Sequence, residues 1–248
     1  MCLILLAYKT HREYPLIIAA NRDEFYDRKT DHAHFWEDHD QILAGRDREA
    51  GGTWMGITRS GKVAMLTNYR DLSHIKEGAP SRGHLVSDFL KEDIEAETYL
   101  REIETVGRRY NGFNLICGSA DELYYYGNYQ EGVHEIKPGI HGLSNALMDT
   151  PWPKVERGKK ELADLIEKDE LRVEDFLEVL HDDIKAPDDQ LPETGVGIEM
   201  ERMLSPMFIK SPNYGSRCST VVLVKKDGSF SFLERTYDRE GNKRDYIF

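Results

Sequence analysis

Short runs of aliphatic and β-branched residues, separated by turn residues, fill the first third of the chain. Leu3 to Tyr8, Leu16 to Ala20, Thr53 to Thr58 and Val63 to Thr67 read as strands. The last two flank Arg59-Ser60-Gly61-Lys62, which predicts an antiparallel pair joined by a turn. Between these runs, Phe25 to Gly52 is polar and rich in His and Asp, with Ile42 to Ala44 as its clear strand candidate. It reads as an excursion that lines or covers something.

From Gly83 to Arg109 the apolar positions recur every three to four residues, among them Leu85, Val86, Phe89, Leu90, Tyr99, Leu100 and Ile103, which predicts one or two amphipathic helices. Phe113 to Cys117, Glu122 to Tyr126, Val133 to Ile136 and Gly142 to Ser144 are β-compatible and punctuated by glycine, and read as a second antiparallel meander. A further helical stretch starts near Pro153, a suitable first-turn residue, and resumes from Val173 to Leu180. Asp182 to Gly197 is acidic, contains proline and reads as a surface loop. Arg217 to Val224 and Phe230 to Arg235 flank Lys226-Asp227-Gly228 and predict a closing hairpin.

Strands, helices, strands, helices, strands is the order of an α+β layered domain. Two meanders packed face to face between helices give a four-layer αββα sandwich. A chain of 248 residues is read as one domain spanning residues 1–248.

Charge narrows the partners. With 45 acidic and 33 basic residues the formal net charge is -12, which argues against nucleic acid and anionic lipid surfaces as general partners. No apolar run approaches the ~20 residues of a membrane span, and the first run ends at Tyr8-Lys9, too short for a signal segment. No integral membrane segment is therefore expected. Three cysteines, Cys2, Cys117 and Cys218, with no CxxC spacing suit a reducing cytoplasm rather than a disulfide framework or zinc ribbon. The stretch from Asp31 to His39, with His32, His34 and His39, could contact a metal or haem, but such residues also gather in loops without a site. No metal and no cofactor are assigned.

The chemistry centres on Cys2, directly after Met1. Removal of the methionine would leave a thiol and a free amine on one residue. A thiol titrates near ~8.5 and an α-amino group near ~7.7–8.0, so the amine can take the thiol proton at neutral pH. A cysteine in a strand is also commonly a small buried hydrophobe. Asn21-Arg22-Asp23-Glu24 follows the strand Leu16 to Ala20, and places a carboxylate and a guanidinium where that strand is expected to end. Thr67-Asn68 and Ser144-Asn145 each present a carboxamide at a strand-to-loop transition, as an oxyanion site requires and as ordinary turns also do. Arg217 stands at the start of the last hairpin, where it could hold a thiolate or carboxylate or simply sit at a strand edge.

These segments together carry a resemblance. Met-Cys at the start, Ala20 to Phe25, Gly51-Gly52-Thr53-Trp54-Met55-Gly56, Thr67 to Arg70, Gly142 to Asn145 continuing to Pro151-Trp152-Pro153-Lys154, and Tyr214 to Thr220 resemble, in order and end to end, the transport and Golgi organization protein 2 family with its NRDE motif. That family in turn resembles N-terminal nucleophile hydrolases of the penicillin V acylase and bile-salt hydrolase type. The resemblance implies an αββα fold, Cys2 as nucleophile, Asp23 as the carboxylate that orients its amine, Asn68 and Asn145 as oxyanion or positioning amides, and Arg217 as the late arginine. Asn21, Arg22, Arg70 and Trp54, from the same motifs, are the expected substrate contacts. Those acylases carry an arginine three residues before the aspartate, where this chain has Ala20, and Arg22 is adjacent to the aspartate instead. Two functions follow as expectations: hydrolysis of a small-molecule amide, or non-catalytic carriage of an apolar anionic metabolite such as haem or a lipid.

Overall fold

The computed structural model describes residues 2–168 and 170–248. Its elements in chain order are β1 (Cys2–Tyr8), β2 (Leu16–Phe25), β3 (Thr30–Phe35), β4 (Ile42–Asp47), β5 (Met55–Thr58), β6 (Val63–Asn68), α1 (Gly83–Lys91), α2 (Ala96–Val106), β7 (Phe113–Gly118), β8 (Leu123–Gly127), β9 (His134–Glu135) and β10 (Gly139–Leu143). Then come α3 (Pro153–Ile166), α4 (Val173–Leu180), α5 (Ile198–Leu204), β11 (Tyr214–Val224), β12 (Phe230–Tyr237) and β13 (Lys243–Ile247). One antiparallel sheet runs β10-β1-β2-β11-β12-β13 and the other β3-β4-β5-β6-β7-β8-β9.

Side-chain alternation turns these sheets into layers. Along β1, Cys2, Ile4, Leu6 and Tyr8 enter the core between the sheets, together with Met55, Ile57, Val63, Met65 and Ile116 of the facing sheet. Leu3, Leu5 and Ala7 point the other way, onto Val155, Leu162, Phe176 and Leu177 of α3 and α4. Both faces of β1 are thus covered, which is why its sequence is apolar at every step. A third core joins α1 and α2 to the outer face of the second sheet through Leu85, Phe89, Leu100, Phe113 and Leu115. The result is the expected α-β-β-α stack. Among the described residues no helix is long and apolar enough to cross a membrane.

Several boundaries differ from the sequence pattern, each for a tertiary reason. The NRDE residues do not follow a strand; β2 continues through them to Phe25 because β11 pairs with Asp23, Glu24 and Phe25. The strand predicted at Gly142 to Ser144 forms as β10, yet it crosses to the first sheet and pairs Leu143 with Ile4 instead of extending the second meander. The His-rich excursion contains an edge strand, β3, whose single fully buried side chain is Ala33. An edge strand open to solvent needs little apolar patterning, so its sequence does not announce it. The short α5 and the edge strand β13 escaped the pattern in the same way, with Ile198, Met200 and Ile247 exposed.

Two glycine-dependent approaches shape the cleft side and the helix packing. A Cβ on Gly52 would lie 2.5 Å from the Gly83 carbonyl carbon, so the loop leading into α1 can cross the start of β5 closely, sealed by Thr53 N–H donating to Gly83 O at 3.2 Å. A Cβ on Gly158 of α3 would lie 2.7 Å from Leu5 Cδ2, so glycine lets the helix rest directly on β1.

Candidate active site

Strand pairing assembles the site. Cys2 on β1 is in register with Arg22 on β2, and Arg22 is in register with Cys218 on β11. The β2–β11 register then skips Arg217, so this bulge re-aims the end of β11 and brings Ser216 opposite Asp23. Ser216 Oγ donates to Asp23 Oδ1 at 2.6 Å, and Tyr214 Oη donates to the Asp23 carbonyl at 3.0 Å. Ser216 Oγ also accepts from Ile209 N at 3.0 Å.

A cleft of about 310 Å³ opens above this arrangement, lined by Cys2, Arg22, Asp23, Trp54, Asn68 and Arg82 among others. Cys2 is 7% exposed and Asp23 1%. Burial pushes the Cys2 thiol up, and the Asp23 charge adds to that; Arg22 and the Asp23 main-chain amide act in the opposite sense. Burial also pushes the Asp23 carboxyl up, against the attraction of Lys154, the Ser216 hydrogen bond and Arg22.

Lys154 received no role in the sequence reading, although it closes one of the motifs. It is buried in the first turn of α3, donates to Leu204 O at 3.0 Å, and is pushed down to about 8 by burial while Asp23 pulls upward. A helix N-terminus disfavours cations, so a lysine in that first turn is itself a sign of a carboxylate nearby. Arg82 was also missed. It donates to Gly112 O at 2.9 Å, and its guanidinium is lowered by burial but favoured by Glu24 and Cys2.

Of the residues expected to form the site, Cys2, Arg22, Asp23, Trp54 and Asn68 meet at the cleft. Four others lie outside its lining. Asn145 donates through Nδ2 to Asn68 O at 2.8 Å, while its neighbour Ser144 donates through Oγ to Cys2 O at 3.2 Å, so this loop sews the two sheets together beside the thiol. Asn21 faces the helices: Nδ2 donates to Leu180 O and Met207 O at 2.7 and 2.9 Å, and Oδ1 accepts from Ser219 Oγ at 2.6 Å. Arg70 forms a buried ion pair with Glu201 at 2.6 Å and lies over the Trp152 ring at 4.8 Å. Arg217 Nη1 donates to the carbonyls of Phe25, Tyr26 and Arg28 at 2.9, 3.2 and 3.2 Å, and so fixes the turn after β2.

The His-rich stretch forms a surface instead of a ligand cluster. His32 stacks on Tyr246 with ring centroids 3.7 Å apart, and His34 Nδ1 lies 2.8 Å from His32 O. Among the described residues no three His, Cys, Asp or Glu side chains converge as a metal site.

Residues 1–239 match the family Transport and Golgi organisation 2. The chain belongs to that family. It is 37% identical to the Transport and Golgi organization protein 2 homologs of Bos taurus and Homo sapiens, over 95% of this chain and 93% of each relative. The Drosophila melanogaster Transport and Golgi organization protein 2 is 30% identical over 95% of this chain and 92% of its own length.

Among solved structures, the chain is similar to a Caenorhabditis elegans N-acylethanolamine-hydrolyzing acid amidase ortholog, with a TM-score of 0.54 and 11% identity, covering 100% of both chains. It is also similar to a variant of conjugated bile acid hydrolase from Clostridium perfringens, with a TM-score of 0.53 and 9% identity, covering 100% of this chain and 92% of the other. This chain therefore shares the N-terminal nucleophile hydrolase fold.

Proposed function

We propose that this chain is an N-terminal nucleophile hydrolase-like protein that cleaves a carbon–nitrogen bond of a small-molecule amide through Cys2. The observation that carries the reading is the position of Cys2 in the cleft wall beside Asp23, with Asn68 contributed by the facing sheet. Once Met1 is removed, the Cys2 amine takes the thiol proton and the sulfur adds to the amide carbonyl. The Asn68 carboxamide is the donor for the resulting oxyanion, and Asn145 positions Asn68 through its main chain. Collapse breaks the carbon–nitrogen bond, the proton held by the amine passes to the leaving nitrogen, and an acyl thioester remains on Cys2. Water adds to the thioester, releasing the carboxylic acid and restoring the thiol. Asp23 orients the amine throughout, and Arg217 acts at a distance by fixing the turn after β2. The two fold neighbours, both named as hydrolases of small molecules, support this reading. The three cysteines are all unpaired, which supports a reducing, cytoplasmic location.

Intact-mass measurement of the purified chain tests the first step, since complete retention of Met1 refutes the mechanism. In the processed chain, a thiol-reactive acyl probe should label Cys2 stoichiometrically, and Asp23→Asn should slow labelling at least about tenfold. Equal labelling rates in the two proteins would remove Asp23 from the reaction.

One observation favours a second reading, a carrier of an apolar anionic metabolite such as haem or a lipid. Burial pushes the Cys2 thiol up, which disfavours the thiolate. Ligand binding that is indifferent to Cys2→Ala, with no turnover of any amide, supports the carrier.

A further inference from the structure

A second cavity of about 510 Å³ adjoins the cleft, and Arg22, Thr30, Gly45 and Trp54 line both. Its floor belongs to a single row across the first sheet, whose Cys2 end lies in the cleft and whose other four members line the second cavity. Strand register sets Cys2, Arg22, Cys218, Thr236 and Arg244 side by side on five consecutive strands. At a strand spacing of about 4.8 Å the row is about 19 Å long, with the thiol at one end and Arg22 one step away.

Arg22 is the unusual member of this row. It is 6% exposed, and among the described residues its guanidinium has carboxylates nearby, Glu24 at 3.9 Å, yet no acceptor within hydrogen-bond reach. A buried guanidinium normally satisfies its fork of N–H donors within the protein. The carboxylates around the second cavity, by contrast, already have partners. Asp31 is held by Arg48, Asp238 accepts from Asn242, and Glu234 accepts from Ala33 N at 2.7 Å. The cavity's cations at the open rim, Lys243 and Arg244, are exposed. The second cavity therefore meets, within a chain that is acidic as a whole, a donor fork that no hydrogen-bond acceptor among the described residues fills.

We propose that the second cavity is a binding chamber for an elongated small molecule bearing an oxyanion group, carboxylate or phosphate, with Arg22 as its anchor and Lys243 and Arg244 as its outer contacts. Planar bidentate recognition of such groups is what arginine supplies. A ligand anchored there lies between the chamber and the cleft, and its neighbouring atoms are presented toward Cys2. The inference concerns binding and does not depend on Cys2 acting as a nucleophile.

Calorimetric titration of the intact chain at low ionic strength, with pyrophosphate and citrate as separate probes, tests it. At least one probe should bind at one site per chain. Binding of pyrophosphate alone assigns a phosphate ligand, and of citrate alone a carboxylate ligand. Arg22→Gln should weaken the bound probe at least about tenfold, as loss of a charged hydrogen-bonded partner does. The exposed, distant Arg12→Gln should leave it unchanged. If Arg22→Gln does not fold, the double variant Lys243→Gln/Arg244→Gln at the exposed rim decides, with severalfold weakening expected. The proposal is overturned if neither probe binds, if Arg22→Gln or the rim variant binds as the parent does, or if Arg12→Gln weakens binding equally.

Discussion

The hydroxyl of Ser216 donates to Asp23 Oδ1 across 2.6 Å, joining the bulged start of β11 to the carboxyl group beside Cys2. A hydrogen bond to the charged form of a carboxyl lowers its pKa, so Ser216 opposes the upward push of burial on Asp23. Ser216→Ala should let the Asp23 pKa climb further and move the pH profile of Cys2 labelling to more alkaline values. It also strands the Ile209 N–H, so a stability loss of about 1–3 kcal/mol is expected by urea denaturation. An unchanged labelling profile would detach Ser216 from the site's chemistry.

The Arg70–Glu201 pair is held at 2.6 Å with both side chains almost fully buried, and Glu201 also accepts from Thr194 N at 3.0 Å. Removing one partner leaves a buried charge without compensation. Glu201→Gln should cost about 3–5 kcal/mol, whereas a joint replacement of Arg70 and Glu201 by Met and Leu should cost much less. Chemical denaturation of the single and double variants distinguishes them.

Lys154 gives a pH signature. Its folded pKa is lowered from 10.5 to about 8, so between those values the unfolded chain binds more protons than the folded one. Stability contributed through this group therefore rises as pH increases from about 8 towards 10.5. Lys154→Met should remove that rise, seen as a flatter dependence of the denaturation midpoint on pH across the same window. Parallel curves for the two proteins would contradict a buried, depressed lysine.

Gly158 lies in α3, where alanine is the better helix former by roughly 1 kcal/mol. Its added Cβ would nevertheless meet both Leu5 Cδ atoms at 2.7 and 2.9 Å and Met207 Sδ at 3.1 Å. Gly158→Ala should therefore destabilise by about 1–3 kcal/mol through overpacking. Combining it with Leu5→Val should recover part of the loss, as measured by thermal melting.

The sequence by itself determined the parts that depend on local pattern. The apolar run of β1, the Arg59–Lys62 turn, the periodic helices α1 to α4 and the closing hairpin all follow from spacings within a few residues. Ordered motifs placed Cys2, Arg22, Asp23, Trp54 and Asn68 as site candidates, and they do share one cleft. Tertiary structure decided everything that depends on which face a side chain takes. Along β2, one step of alternation separates Asn21, bonded toward the helices, from Arg22, which lines the cleft. The length of β2 itself is set by β11, nearly two hundred residues later, whose bulge frees Arg217 to bind main-chain carbonyls and sets Ser216 against Asp23. Pairing between distant strands leaves no periodic trace in either strand, so those directions, and the second cavity beside Arg22, exist only once the sheets are assembled.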